Sequence, residues 1–397
     1  MLEDRGVETM FGYPGGSVIS IYDEIMNSSI NHVLVRHEQC AAHMADGYAR
    51  ASGRPGVCMA TSGPGATNMI TGIGTAYADS TPMLALTGQV GTGSLGLGAF
   101  QEVDAYSLLM PITKHNFRVL DVNRLPHAVD EAWKMCQTGR PGPVHIDLPS
   151  DQMNSEIDES LLGISYGTKE PREDMSELGT AVQWIKEAQR PVLLIGGGTI
   201  SANASEEVTR LAELIGAPAV FTLMGLGAMS TEHPLSLGPL GMHGKMCALD
   251  TFRNADLVIA IGTKFSDRTF SPHTRFDGAC RVVQIDIDAT EFDKHKNNDV
   301  NLLCDAKKGT AALIDGLSGY RDTHADWNST YAEYRRRCRC KIDIDLTPIV
   351  PQKVIYEINR LIDKDDDMIV TTDVGQNQMW AMHHLHVHRP SQLLSSV

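Results

Sequence analysis

Short apolar segments alternate with longer amphipathic segments through the first part of the chain, as far as residue 150. Brief apolar runs bounded by turn residues are typical of buried strands, and longer periodic segments are typical of helices. The pattern predicts helices near residues 39–52, 65–79 and 124–138, and strands at residues 33–35, 57–60, 83–86, 117–120 and 144–148. This alternation predicts an α/β fold in which helices cover both faces of a parallel sheet.

A polar segment at residues 150–176 interrupts the alternation and has the composition of a linker. A second α/β unit follows, with a helix near residues 177–189 and strands at residues 191–195, 219–223, 257–262 and 282–287. Beyond a charged stretch, a helix near residues 350–363 and a strand at residues 368–372 begin a third unit. One strand and its flanking helices cannot complete a doubly wound sheet, so we expect the third domain to be incomplete.

The composition is that of an ordinary globular protein, with 42% hydrophobic and 21% charged residues among 397. The net charge of −15 argues against a nucleic-acid surface. No apolar run approaches the roughly 18 residues that a membrane-spanning helix needs. The N-terminus has no signal-peptide pattern and the eight cysteines are scattered, so we expect a cytoplasmic protein. A cleaved transit peptide stays an open alternative.

Two clusters of possible metal ligands occur. Cys338 and Cys340 have no second cysteine pair nearby, so we do not expect a zinc site there. His384 and His388 would lie one turn apart on a helix and could chelate a metal. Because no carboxylate or cysteine accompanies these histidines in the sequence, we interpret them as a surface feature.

The carboxylate of Glu38 stands between an apolar strand and a helix of small residues. Apolar surroundings would raise the pKa of a carboxyl group and suit it to proton transfer. The alternative is a glutamate that only stabilises the N-terminus of its helix. Three glycine-rich turns, at residues 11–17, 61–68 and 91–104, each follow a short apolar strand. They predict a single crevice at one edge of the sheet, with Glu38 in it.

A set of ordered motifs covers essentially the whole chain. They are YPGG at 13–16, RHEQ at 36–39, ADGYAR at 45–50, TSGPGATN at 61–68, AFQE at 99–102, TGRPGPVHIDLP at 138–149, LGMHG at 240–244, IGTKFSDR at 261–268 and VGQNQMW at 374–380. The set resembles the acetolactate synthase (acetohydroxyacid synthase) large-subunit family of thiamine-diphosphate-dependent enzymes.

The resemblance implies a three-domain architecture of doubly wound parallel sheets. Residues 1–160 would form the pyrimidine-binding domain, residues 177–320 a central FAD- or nucleotide-binding-like domain, and residues 345–397 the start of a truncated diphosphate-binding domain. The implied activity is decarboxylation of pyruvate on thiamine diphosphate and carboligation to pyruvate or 2-ketobutyrate, the first common step of branched-chain amino-acid biosynthesis. The alternatives are another thiamine-diphosphate-dependent 2-keto-acid decarboxylase or carboligase, and a non-catalytic flavin-binding fragment.

The resemblance also implies roles for individual residues. Glu38 would hydrogen-bond the aminopyrimidine of the cofactor, Gly15 would stabilise developing oxyanion charge, and Gln101 would reach the reacting intermediate. The remaining thiamine-diphosphate positions are Thr61, Pro64 and Asn68 on the pyrimidine side, and Val374, Gly375 and Gln376 on the diphosphate side. The FAD positions, for a flavin with a structural role, are Arg140, Gly197, Gly198, His243, Gly262, Lys264, Asp286 and Asp305.

Some of these positions have simpler interpretations. Asp286 and Asp305 could serve only as a strand-end residue and a helix cap. Lys264 replaces the arginine that is usual in the family and lacks its planar bidentate contact.

The family's magnesium-binding motif, Gly-Asp-Gly followed by a later Asn, has no counterpart in the sequence. We therefore expect Mg²⁺ as a cofactor but no metal ligand in this chain. We interpret the chain as truncated at the C-terminus and slightly at the N-terminus, and we expect it to be inactive alone. The implied partners are 2-keto-acid substrates, further copies in a homodimer or homotetramer, and a small regulatory subunit, with no nucleic acid and no membrane.

Overall fold

The computed structural model describes residues 1–167, 171–270, 274, 279–294, 300–338 and 346–396. The chain forms two compact units, Met1–Pro171 and Arg172–Val397. Each unit is built on a six-stranded sheet whose neighbouring strands are all parallel. The predicted α/β class with parallel sheets is confirmed.

The sheet of the first unit has the strand order β2-β1-β3-β4-β6-β5. Its strands are β1 Thr9–Gly12, β2 Asn31–Leu34, β3 Gly56–Ala60, β4 Met83–Gln89, β5 His115–Arg118 and β6 Pro143–Pro149. Its helices are α1 Ile19–Ile25, α2 Glu38–Ser52, α3 Pro64–Asn68, α4 Ile70–Asp79, α5 Ala105–Leu109, α6 Leu125–Met135 and α7 Ser150–Met153. The single helix predicted at residues 65–79 is therefore two helices that meet at Met69.

Strand β3 shows why the central strands read as unbroken apolar runs. Val57 and Met59 belong to the hydrophobic cluster on one face of the sheet. Cys58 and Ala60 belong to the cluster on the other face. Because successive side chains of a strand point to opposite faces, a sheet covered on both sides needs an apolar residue at every position.

The sheet of the second unit has the order β12-β11-β10-β7-β8-β9. Its strands are β7 Pro191–Ile195, β8 Ala219–Phe221, β9 Ser236–Pro239, β10 Leu257–Ile261, β11 Arg281–Asp286 and β12 Val300–Leu303. Its helices are α8 Leu178–Glu187, α9 Gly197–Ser201, α10 Ser205–Ile215, α11 Met246–Arg253, α12 Ala306–Gly316 and α13 Ala325–Arg337. The pattern did not predict β9 and β12, which are four-residue edge strands that depend on one neighbour.

The last part of the second unit contains helix α14 Pro351–Ile362, strand β13 Val370–Thr371, helix α15 Gln376–His384 and strand β14 Leu393–Leu394. The two strands pair in parallel, and the elements share a small apolar cluster that includes Ile362 and Val387. Helix α15 ends at His384, so the predicted helical pairing of His384 with His388 is wrong. The side chain of Asn359 explains the ending, because it donates to the His384 carbonyl and accepts from the His386 amide.

Among the helices that the structure describes, none combines the length and the hydropathy needed to span a bilayer. Cys340, the second member of the predicted cysteine pair, lies outside the described residues.

Candidate active site

Glu38 is the first residue of α2, immediately after the turn that follows β2. The preceding residue, His37, caps the helix, since its ring nitrogen Nδ1 accepts a 3.2 Å hydrogen bond from the Gln39 amide. Capping is therefore done by a neighbour. The half-buried carboxylate of Glu38 is left for other contacts.

One oxygen of that carboxylate has a fixed partner. Asn68, the last residue of α3, donates from Nδ2 to Glu38 Oε2 over 2.9 Å. The other oxygen, Oε1, accepts no hydrogen bond from the residues that the structure describes. It lies beside Gly65, where a Cβ atom would be 3.5 Å from Oε1 and 2.8 Å from Thr61 Cγ2. The glycine keeps the space next to the free oxygen clear.

The turn that contains Gly15 lies against the turn that begins at Thr61. Ser17 and Thr61 share a 2.8 Å hydrogen bond between their hydroxyl groups, and the Ser62 amide donates to Ser17 Oγ over 2.9 Å. A Cβ atom at Gly15 would lie only 2.5 Å from Thr61 Cβ. Only glycine permits this approach, so the sequence YPGG is explained by close packing of two turns at the same edge of the sheet.

The third turn brings Gln101 to the same place. Gln101 has a left-handed backbone with φ of 59°, which is uncommon for a residue with a side chain. A Cβ atom at Gly63 would lie 2.6 Å from the Gln101 carbonyl oxygen. Pro64 follows Gly63 and begins α3. All six residues predicted for the pyrimidine side and the reacting centre therefore lie on turns and helix ends at one edge of the first sheet.

The loop before Gln101 is organised by Glu102. Its carboxylate accepts from the amides of Gly96, Gly98 and Ala99, the last two over 2.8 and 3.0 Å. These backbone hydrogen bonds lower the pKa of Glu102, the bond from Gly96 first. The ring of Phe100 is 88% exposed. The loop thus presents an exposed aromatic side chain beside Gln101.

Behind this loop lies a buried polar network that the sequence pattern did not predict. Asp147 on β6 is fully buried and accepts from Thr87 Oγ1, Gln89 Nε2 and Arg118 Nε over 2.9, 3.2 and 3.0 Å. Burial raises the pKa of Asp147 against the effect of these hydrogen bonds. Gln89 also donates to the Val103 carbonyl over 2.7 Å. The network therefore ties the core of the sheet to the loop that carries Gln101.

The signal for this network was in the sequence as polar residues inside apolar strands. His145 completes it, with Nε2 at 2.7 Å from Thr87 Oγ1. Since Thr87 donates to Asp147, we assign the Nε2 proton of His145 as the donor to Thr87. Burial first, and the positive charge of Arg118 second, lower the pKa of His145 to about 3.

The predicted diphosphate-side residues lie in the second unit, at the start of α15. Val374 is 63% exposed, and Gly375 directly precedes the helix that begins at Gln376. A helix N-terminus has free amide groups and favours anions.

The glycines predicted for FAD lie where β7 and β10 end. Gly262 has φ of 58°, and its carbonyl accepts from the Gly198 amide over 3.0 Å. A Cβ atom at Gly198 would lie 2.8 Å from Gly262 Cα, and one at Gly197 would lie 2.9 Å from Met224 Cβ. Close approach of the chain to itself explains these three glycines.

The other FAD positions have contacts within their own units. Asp305 caps α12, accepting from the amides of Lys307 and Lys308 over 2.9 and 3.2 Å. Asp286 ends β11 and accepts from the Asp288 amide over 3.0 Å.

Three FAD positions remain. The carbonyl of His243 accepts from the ring of His383, and Lys264 is half-buried beyond β10. Arg140 belongs to the first unit, where its Nε donates to Ser80 Oγ over 2.8 Å. Among all the FAD positions, Asp305 is the one that caps a helix, which agrees with its simpler interpretation as a helix cap.

Comparison with known proteins identifies the family. Residues 1–108 match the model described as thiamine pyrophosphate enzyme, N-terminal TPP binding domain, and residues 178–313 match the central domain of the same enzymes. The probable acetolactate synthase large subunit of Methanocaldococcus jannaschii is 43% identical over 406 residues, covering 100% of this chain and 69% of the relative. The chain belongs to the acetolactate synthase large-subunit family.

Bacterial members of the family show the same extent of similarity. The acetolactate synthase isozyme 1 large subunit of Escherichia coli is 39% identical over 397 residues, covering 100% of this chain and 70% of the relative. The large subunit of Corynebacterium glutamicum is 40% identical over 404 residues, covering 100% of this chain and 64% of the relative. The family indicated by the sequence motifs is confirmed.

Most of the predicted site residues fall within one or the other of the two segments that match family models. Glu38 and its partner Asn68 fall within the match to the N-terminal TPP binding domain, as do the three turns around them. The FAD positions from Gly197 to Asp305 fall within the match to the central domain. Arg140 and the start of α15 lie outside both matched segments.

Proposed function

We propose that the chain acts as an acetolactate synthase large subunit. In this proposal pyruvate is decarboxylated, and its remaining two-carbon unit is joined to a second 2-keto acid, pyruvate or 2-ketobutyrate. The reaction is the first common step of branched-chain amino-acid biosynthesis. The observation that carries the proposal is the Glu38 carboxylate, with one oxygen bound by Asn68 and the other beside Gly65.

The residues of the first unit fit thiamine diphosphate. Glu38 Oε1 is a half-buried acceptor without a donor among the described residues, and Gly65 leaves room in front of it. A polar atom in such surroundings is stabilised by a ligand that donates to it. When bound, thiamine diphosphate supplies the carbon nucleophile and the electron sink that decarboxylation needs.

The chain's own residues would then position the cofactor and the reacting group, and would hold a proton at the aminopyrimidine ring. Glu38 would hold a proton at the aminopyrimidine ring through Oε1, while Asn68 fixes the carboxylate through Oε2. Gly15 would offer its amide to developing oxyanion charge. Gln101 would contact the reacting group, and Thr61 and Pro64 would form the wall of the pyrimidine pocket. In the second unit, Val374, Gly375 and Gln376 would contact the diphosphate.

For FAD the support is the resemblance alone. The glycines at 197, 198 and 262 lie against the chain itself, and Asp305 is engaged as a helix cap. We retain FAD as a structural cofactor in the proposal, with Arg140, His243, Lys264 and Asp286 as further contacts, and derive no chemical step through it. We also retain Mg²⁺ as a cofactor and assign no ligand to it in this chain.

Assembly belongs to the proposal as well. The relatives from Escherichia coli are named large subunits, which supports a small regulatory subunit as a partner. We propose a homodimer or homotetramer in the cytoplasm. We place the pyrimidine-binding domain at residues 1–160, the central domain at 177–320 and the start of the diphosphate-binding domain at 345–397.

The test measures carbon dioxide release and acetolactate formation from pyruvate with thiamine diphosphate, Mg²⁺ and FAD. It uses this chain and a chimera that continues after Val397 with the corresponding part of the Methanocaldococcus jannaschii relative. Glu38→Gln should abolish product formation, whereas Glu24→Gln, at an exposed position of α1, should leave it unchanged. We expect activity in the chimera.

Other outcomes would favour the alternatives. Turnover of a different 2-keto acid but not of pyruvate would indicate another carboligase or decarboxylase of the same group. Retention of FAD by both proteins, with no thiamine diphosphate bound, would indicate a flavin-binding protein without this activity.

A further inference from the structure

Three side chains near the C-terminal end of the second unit converge on one point. Beyond α15 the backbone at Leu385 is extended, with φ of −71° and ψ of 138°. Residues two apart in an extended segment point to the same side. His386 and His388 are two residues apart just after Leu385, and both rings face Asp363, the residue that directly follows α14.

The distances are those of a compact ligand cluster. Asp363 Oδ1 lies 3.0 Å from His386 Nδ1 and 3.1 Å from His388 Nε2. One ligand atom from each of the three residues lies within 4.8 Å of the others. The carboxylate that the sequence did not place beside the histidines is supplied by a residue more than twenty positions earlier in the chain.

The far nitrogen of each ring faces an oxygen atom. His386 Nε2 lies 3.8 Å from Glu232 Oε1, and His388 Nδ1 lies 3.4 Å from Ser230 Oγ. Histidines that bind metal through one ring nitrogen usually donate from the other nitrogen to such an oxygen, which fixes the tautomer and orients the ring. In the loop at residues 230–232, Ser230 is thus within hydrogen-bonding distance of His388, and Glu232 is within ion-pair distance of His386.

We propose that Asp363, His386 and His388 bind a divalent transition-metal ion of the zinc type. Imidazole and carboxylate ligands suit Zn²⁺, whereas Mg²⁺ and Ca²⁺ prefer oxygen ligands only. In a tetrahedral zinc site, bonds of about 2.0–2.1 Å place ligand atoms about 3.3 Å apart. The two nitrogen–oxygen distances need to widen by only a few tenths of an ångström, and the fourth position is left for water.

The ion would join the residue after α14 to the histidine segment, which is itself hydrogen-bonded to the loop at residues 230–232. The Thr231 amide donates to the Val387 carbonyl over 2.9 Å, and the Val387 amide donates to Thr231 Oγ1 over 3.0 Å. The loop and the histidine segment are therefore already paired, and Asp363 adds the end of α14. Because the ligands come together only in the folded state, metal binding stabilises this state.

The experiment is a Zn²⁺ titration of the metal-free full chain by calorimetry. We expect one ion per chain at this site, unaffected by excess Mg²⁺, together with a rise in melting temperature. His388→Gln and Asp363→Asn should each remove this binding event, and Glu232→Gln should weaken it roughly tenfold. The control is His233→Gln, since the ring of His233 contacts Glu213 at 3.2 Å and accepts from the Leu235 amide over 3.2 Å, and so lies outside the cluster.

Cobalt spectroscopy separates this site from cysteine ligation. Co²⁺ bound here should give visible d–d bands without thiolate-to-cobalt charge transfer. Circular dichroism of each variant in the presence of a chelator shows whether the variant folds. If His388→Gln does not fold, the Zn²⁺ titration is decided by Asp363→Asn. The proposal is overturned if the folded variants bind Zn²⁺ as the parent does, if the parent binds none, or if the Co²⁺ spectrum shows thiolate ligation.

Discussion

Asn68 Nδ2 donates to Glu38 Oε2 over 2.9 Å and so joins the end of α3 to the first residue of α2. The two residues come from different turns at the same edge of the first sheet. A hydrogen bond to an ionised carboxylate is stronger than one between neutral groups and fixes its direction. The contact holds Glu38 in place without occupying the oxygen beside Gly65.

Asn68→Ala tests this positioning role. Hydrogen bonds to charged groups contribute about 1.5–3 kcal/mol, so we expect kcat/KM of the chimera with pyruvate to fall roughly 10- to 100-fold. Asn27→Ala is the control, because the side chain of Asn27 donates to the Asp23 carbonyl at an exposed position away from the candidate site. Steady-state kinetics measure both variants. Parent-like kinetics of Asn68→Ala would show that Glu38 needs no support from α3.

Two helical glycines should respond to alanine in opposite directions. At Gly47 in α2 a Cβ atom meets nothing within 4 Å, and Gly→Ala inside a helix stabilises by roughly 0.5–1 kcal/mol. At Gly72 in α4 a Cβ atom would lie 2.5 Å from Ala42 Cβ. We expect Gly72→Ala to destabilise by about 1–3 kcal/mol, because overpacking forces the helices apart.

Urea unfolding monitored by circular dichroism measures both glycine variants. Equal effects on the free energy of unfolding would contradict the close contact between α2 and α4.

Because His145 is buried in its neutral form, we expect the free energy of unfolding to decrease in acid. Its pKa is lowered to about 3 in the folded protein, against about 6.5 for an unperturbed histidine. Between these values the unfolded chain binds a proton that the folded chain does not. The contribution of His145 is therefore fully present above pH 6.5, and falls by up to about 1.4 kcal/mol per pH unit as the pH drops towards 3.

The measurement compares the free energy of unfolding of the parent and His145→Gln at several pH values. We expect a shallower acid slope in the variant. His115→Gln, an exposed histidine on β5 of the same sheet, should retain the slope of the parent. A variant slope equal to that of the parent would show that His145 is not buried in its neutral form.

The ion pair of Asp147 with Arg118 should show strong coupling. Removing one partner of a buried pair leaves a charge without compensation, so Arg118→Met should destabilise by about 3–5 kcal/mol near neutral pH. We expect the double variant Arg118→Met with Asp147→Asn to recover part of this loss. A double-mutant cycle from denaturant unfolding measures the coupling, and additive effects would count against the pair.

The sequence predicted most of the central strands because they are buried on both faces. It did not predict β9 and β12. Each of these strands has four residues that include a polar side chain, and each pairs with one neighbouring strand. The edge strand β5 was predicted at residues 117–120 and lies at His115–Arg118. An edge strand is specified by one neighbour only, so its limits are weakly marked in the local pattern.

The sequence placed the candidate site on four segments that are far apart in the chain. Gly15, Glu38, Thr61 and Gln101 each stand beside a glycine-rich or strand-ending segment, and the structure brings these segments to one edge of the sheet. Their chemical roles stay predictions. The supporting network of Asp147 was not predicted, because a polar residue in a buried strand shows that a partner is needed without naming it.

The sequence by itself determined the α/β class, the two parallel sheets and the family, since strand burial, helix periodicity and short motifs are local in the chain. Only the tertiary structure decided which groups meet. Asn68 donates a hydrogen bond to Glu38, thirty residues earlier in the chain. Asp363 lies beside the two histidines that follow α15. Such pairings depend on strand order, on where each helix ends and on how turns pack, and none of these is encoded at a single position.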